Sequence, residues 1–259
     1  MSASVGRTQL SPTQIWGLRD LLFFLLFIPI SLIIANLVAL AAYAALKPLM
    51  GWQLSPLSLS RNTFFLLALQ SVFYAFVLGW VYLLARIHHQ QPFWRSLGWH
   101  KPSGKQASMF LGGGVLLALM VNLIPPILPE SGTFPLQRFF SSPAASYAVG
   151  VFAVFIAPLV EETVFRGLLF AIFERSAGLP FAVITTAVLF AGLHVPEYWR
   201  AWNHVLMILV VGLVLSLARG MTGSLAPSII LHVGYNTCMM AGLYFTTQHF
   251  REIQGLLWP

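Results

Sequence analysis

Hydrophobic positions along this chain come in long unbroken runs. Seven stretches, about 21–45, 63–85, 107–128, 145–173, 180–195, 203–219 and 225–246, are apolar on every face, with polar or helix-breaking clusters between them. Barrel strands would alternate with a period of two. These runs do not, so each predicts a helix whose whole circumference tolerates lipid. The expected fold class is all-α, a polytopic transmembrane helical bundle of seven to eight spanning helices. The 180–195 and 203–219 runs are short against the roughly 20 residues of a usual span. The 145–173 run is long, either one tilted helix or two pieces bent near Pro158.

These runs divide the chain into a polar, cytoplasmic N-terminal tail over 1–20, a single membrane domain over 21–246, and a C-terminal tail over 247–259. The first run is too long for a signal-peptide core and predicts a retained span. In the third run, Gly112-Gly113-Gly114 predicts a close helix-packing face. The longest polar connection, His88 to Lys105, holds His88 and His89 as loop residues and Trp94 and Trp99 as head-group anchors.

Composition sharpens this picture. Hydrophobic residues make up 58% and charged residues 8% of the chain, and the mean hydropathy is +0.81, against roughly 25% charge in a soluble domain. An integral, multi-pass membrane protein in contact with membrane lipids follows. The net charge of +7 is carried by Lys and Arg residues spaced singly between apolar runs, a topology signal rather than a nucleic-acid surface. Seven alternating spans put eight of these cations on the N-terminal side and five on the other. That bias predicts a cytoplasmic N-terminus and, in a bacterium, residence in the inner membrane. Cys238, the single cysteine, forms no intrachain disulfide and reads as a small core residue.

Against so apolar a background, the polar residues at depth carry the chemistry. Glu161 and Glu162 are adjacent, and a charge near the bilayer centre costs at least about 2.5 to 3.5 kcal/mol. Glu162 and Arg166 are i,i+4 neighbours and can pair. Glu161, rotated by about 100° on the same helix, is left free for chemistry. Phe190 and His194 share one face of the fifth run, and His232 and Asn236 share one face of the seventh. Counting about 1.5 Å per residue from helix ends near 173, 180 and 223, Glu161, His194, His232 and Asn236 all lie about 14 to 21 Å deep. A carboxylate and an imidazole can deprotonate water, and His and Asn donors can stabilise an oxyanion, so the set suits peptide-bond hydrolysis. Glu161, His194 and His232 are also a common zinc set, which makes a divalent metal a candidate cofactor, although the single-helix H-E-x-x-H arrangement is absent. Glu197, His204, Trp199 and Trp202 are expected at the interface.

The order E-E-x-x-x-R, F-x-x-x-H, H-x-x-x-N, here Glu161 to Arg166, Phe190 to His194 and His232 to Asn236, resembles the CPBP intramembrane protease family. That family is also called the ABI or CAAX protease family and includes the Ras converting enzyme of eukaryotes. The resemblance covers roughly 145–240, the expected catalytic core. It implies an intramembrane endopeptidase acting on a membrane-associated protein or peptide, with a prenylated, lipid-anchored C-terminus among the substrates the family takes. Carried over, Glu161 is the general base with His194 assisting, and His232 and Asn236 form the oxyanion site. Glu162 and Arg166 hold the geometry, with Phe190 in support. Metal-dependent and glutamate-dependent mechanisms are both argued for the family.

Two other functions compete. A catalytically silent scaffold or bacteriocin-immunity protein would show decay of a catalytic position, and all are intact. A proton-coupled transporter would show matching inverted halves, whereas the buried polar residues cluster in the C-terminal half alone.

Overall fold

A computed structural model describes residues 15–124 and 139–252. Most of the two expected tails, and the end of the third run, lie outside these residues. Among the described residues the chain is helical throughout, with no strand. The expected all-α bundle is what forms.

Helix α1 (Leu18–Met50) has 33 residues, about 50 Å at 1.5 Å per residue and longer than a hydrocarbon core of about 30 Å. It exceeds the expected 21–45 because each end has its own terminator. At the start, the Asp20 carboxylate accepts from the Gly17 N–H at 2.9 Å, and at the end Gly51 takes φ +65 and donates to the Lys47 carbonyl. After the short α2 (Pro56–Leu59) comes α3 (Thr63–Leu83). It starts at Asn62, whose side chain accepts from the Phe65 N–H, and ends in a π-helical turn, Leu84–His88. The first and third helices pack together, with Phe27 stacked on Trp80 at 4.4 Å. The polar connection then folds back: α4 (Phe93–Ser96) leads to Leu97, fully buried against Gly167. Trp94 stays exposed as an interface anchor should, whereas Trp99 packs on the core. Trp16, expected in a polar tail, is fully buried and donates to the Ser96 carbonyl at 2.7 Å.

Helix α5 (Gly104–Asn122) opens on a Ser103–Gln106 capping box. Next, α6 (Pro143–Val151), a π turn (Phe152–Ile156), α7 (Ala157–Glu162), a second π stretch (Thr163–Leu169) and α8 (Phe170–Ala177) form one continuous 35-residue segment. The fourth run is therefore a single rod, not two pieces. Pro158 lacks an N–H and its ring would strike the carbonyl four residues back. The π turn just before it widens the helix there. Every residue from Glu162 to Phe173 is buried, so this rod is the axis of the bundle.

Gly178, at φ +85, is the whole connection to α9 (Leu179–His194). The chain ends in α10 (Trp202–Thr222) and α11 (Leu225–Thr246). Helices α3, α9, α10 and α11 all touch the rod. Of the three consecutive glycines, Gly114 alone makes the expected close approach: a Cβ there would run into the Leu231 carbonyl, while Gly112 and Gly113 face open space. Gly234 repeats the contact from the other side against the Leu111 carbonyl.

Among the described residues, five helical segments are long and apolar enough to cross a membrane: Leu18–Met50, Thr63–His88, Gly104–Asn122, Pro143–Ala177 and Trp202–Thr222. Helix α9 is apolar but has 16 residues, about 24 Å. Helix α11 is long enough, but His232, Asn236 and its other polar residues dilute it. Its polar face turns toward the rod, where protein rather than lipid is its solvent. Exposed Leu and Ile side chains along α1, among them Leu22, Leu25, Leu26, Ile33 and Leu37, fit an outer helix facing acyl chains. Outside the helices, burial pushes the Tyr198 phenol above its ordinary range.

Candidate active site

Glu161 and Glu162 end α7, where the rod passes into its second π stretch. Glu162 is fully buried, and its Oε1 accepts from Arg166 Nη1 at 2.9 Å, the expected i,i+4 pair. Arg166 spends its remaining donors on α10, giving Nη2 to the Gly212 carbonyl at 2.8 Å and Nε to Ser216 Oγ at 3.3 Å. Its guanidinium lies 4.7 Å from the Phe190 ring centroid. A buried ion pair is costly unless its other hydrogen-bonding capacity is met. Here each guanidinium nitrogen has a partner, on the rod or on α10, while Glu162 Oε2 is buried without one, and the pair clamps the rod to α10.

His232 completes that cluster in a way its spacing did not suggest. Its Nδ1 lies 3.0 Å from Glu162 Oε1, so it reaches the structural glutamate and not the free one. A carboxylate already neutralised by Arg166 accepts, hence Nδ1 carries the hydrogen and Nε2 is left toward the cavity. His194 is set in the same manner: Nδ1 sits 2.8 Å from the Phe190 carbonyl, a pure acceptor, so in the neutral ring Nε2 is the nitrogen with the lone pair. The Phe190 ring stands 4.7 Å from His194 and 5.8 Å from His232 between centroids. The same ring thus touches both imidazoles and the guanidinium.

Asn236 donates through Nδ2 to the Ala153 carbonyl at 2.7 Å. That carbonyl is short of a donor for a readable reason. The Ala157 N–H passes over it to bond Phe152 in the π pattern, and the next residue, Pro158, has no N–H to give. Asn236 therefore caps a defect that Pro158 creates, and its second N–H is left over.

Glu161 is half-buried and accepts from the Tyr74 hydroxyl at 3.1 Å. Tyr74 comes from α3, stacks on Phe152 at 5.6 Å, and lies far outside the three motifs. Sequence reading missed it because a Tyr in an apolar run reads as packing; the one signal was a phenolic O–H at depth, which needs a partner. Glu161, His194, His232, Asn236 and Tyr74 line one cavity of about 530 Å³. Glu197 and Tyr198 line it too, so Glu197, exposed as an interface residue would be, also borders the candidate site.

The expected metal set does not assemble. Among the described residues, Asp20, His88 and His89 bring three donor atoms within 4.8 Å of one another, whereas Glu161, His194 and His232 do not form such a group. Their donor atoms are not gathered at ligand spacing in this arrangement.

Such a site, with a carboxylate, two imidazoles and an amide facing one cavity inside a helical membrane bundle, has the parts of a membrane hydrolase. Residues 143–238 match the family model of the type II CAAX prenyl endopeptidase Rce1-like family. The matched stretch runs from the start of α6 into α11 and takes in all three motifs, in agreement with the resemblance carried by those residues. No curated protein and no solved structure matches the chain. At the level of the family, the likeness is to membrane endopeptidases that act on CAAX proteins.

Proposed function

We propose that the protein is an intramembrane endopeptidase that hydrolyses a peptide bond in a membrane-associated protein or peptide, with Glu161 as the base that activates water. The observation that carries this reading is that Glu161 and His194, from different helices, face one cavity, with Glu161 held by Tyr74 and the His194 ring fixed through Nδ1 by the Phe190 carbonyl. A water between them loses a proton to Glu161 as its oxygen attacks the carbonyl carbon. The carbonyl oxygen becomes an oxyanion, which accepts from the second N–H of Asn236. His232, its Nδ1 held by Glu162, lines the same cavity beside it. Glu161 then passes its proton to the leaving amine, and the C–N bond breaks to give a carboxylate and an amine.

Substrate class follows from the family likeness and the surroundings. A lipid-anchored, CAAX-type C-terminus reaches this cavity from the bilayer, so its peptide enters at the depth where the carboxylate lies. The test is cleavage of a fluorogenic prenylated CAAX-type peptide by purified protein in proteoliposomes. Glu161→Ala and His194→Ala should each lower kcat by about 10²- to 10⁴-fold, the usual worth of general acid–base groups. Equal cleavage by Glu161→Ala would overturn the assignment.

A further inference from the structure

Asp20, His88 and His89 lie away from the cavity, where the start of α1 meets the end of α3. Asp20 is buried, its Oδ1 2.8 Å from His89 Nε2 and its Oδ2 fixed by the Gly17 N–H at 2.9 Å. His88 is the last residue of the π turn and is exposed. Consecutive side chains on an α-helix diverge by about 100°, yet here the π turn and the left-handed Gln90 (φ +55) that follows leave the His88 and His89 rings only 4.7 Å apart between centroids. Trp16 stands edge-on to His89 at 5.2 Å and Phe23 edge-on to His88 at 6.4 Å, so the donors are backed by apolar rings.

We propose that Asp20, His88 and His89 form a binding site for a divalent transition metal of the zinc class, separate from the candidate active site. Bonds of 2.0 to 2.1 Å in a tetrahedral shell set neighbouring donors about 3.3 Å apart. The Asp20–His89 pair, at 2.8 Å, is close to that spacing, and the metal takes the place of the proton the two atoms share. His88 has its donor atom within 4.8 Å of both, and its exposed ring closes the remaining gap by turning about its side-chain bonds. The fourth position opens to solvent on the His88 side. One carboxylate with two imidazoles favours zinc and its transition-metal neighbours over magnesium or calcium, which take oxygen donors. The Gly17 N–H orients the carboxylate from behind, as outer-shell partners do in metal sites. Bound metal would pin α1 to α3, and loss of activity on chelation would then have a source remote from Glu161.

The experiment uses the full chain in detergent, stripped with a chelator and titrated with Zn²⁺ against a chromophoric competitor, with Co²⁺ as a spectroscopic probe. Wild type should bind one equivalent of Zn²⁺ and give the visible d–d bands of a tetrahedral Co²⁺ site. His88→Ala, at an exposed position, should bind at least about tenfold more weakly and lose those bands, whereas His194→Ala should keep both. Absence of Zn²⁺ binding by wild type, unchanged binding by His88→Ala, or loss in His194→Ala instead would each overturn the proposal. None of these readouts depends on peptidase activity.

Discussion

At the scale of single residues, the two adjacent glutamates divide because their surroundings differ. Glu162 accepts from a guanidinium and an imidazole in a fully buried position. Removing either charged partner of such a pair usually costs about 3 to 5 kcal/mol, because the other is left buried and unpaired. Glu161 accepts from the neutral Tyr74 hydroxyl, which positions a carboxylate without neutralising it. Tyr74→Phe removes that hydroxyl and keeps the ring on Phe152. With the proposed peptidase it should lower kcat about tenfold and leave KM nearly unchanged, the pattern of a group that orients the base rather than binds substrate. Steady-state kinetics on the prenylated peptide check this; a change confined to KM would reassign Tyr74 to substrate binding. Spacing alone made the Glu162–Arg166 pair legible, since i,i+4 is a local rule. The His232–Glu162 bond spans 70 positions, and no local rule reaches that far.

At the scale of the element, departures from regular helix do the positioning. The rod carries two π-helical stretches, one on each side of the short helix that ends in the glutamates. Pro158 explains the first, and Asn236 answers it by capping the Ala153 carbonyl. A similar service is done in the second stretch by Arg219, whose Nε donates to the Arg166 carbonyl at 2.9 Å. Helix α11, which brings His232 and Asn236, is held against α5 by backbone approach at Gly114 and Gly234. Gly114→Ala or Gly234→Ala should force the two helices apart and cost about 1 to 3 kcal/mol, as overpacking generally does. Gly112→Ala and Gly113→Ala, facing open space, should be neutral or slightly stabilising because alanine is the better helix former. Thermal unfolding in detergent separates the two pairs. The G-G-G run was visible in the sequence, but which glycine packs depends on the rotation of α5 about its axis, and that is a tertiary fact.

At the scale of the whole molecule, five segments carry the hydrophobic thickness of a span, while α9 and α11 supply polar groups to the interior. If both cross as well, the two ends of the chain lie on opposite sides, and from the excess of Lys and Arg on the N-terminal side we propose a cytoplasmic N-terminus. A reporter that fluoresces only in the cytoplasm should therefore be bright when fused to the N-terminus and dark at the C-terminus. Bright signal at both ends would mean an even number of crossings. By itself the sequence determined the all-helical membrane class, the order of the runs, the Glu162–Arg166 pair and the three polar stations, because solvent compatibility and helical period are properties of neighbouring residues. Tertiary structure alone decided that His232 serves Glu162, that Tyr74 reaches Glu161, that Glu197 borders the cavity, and that Asp20 meets His88 and His89. Each of these joins helices distant in the chain, and their relative rotation and depth are fixed by packing, which no single run encodes.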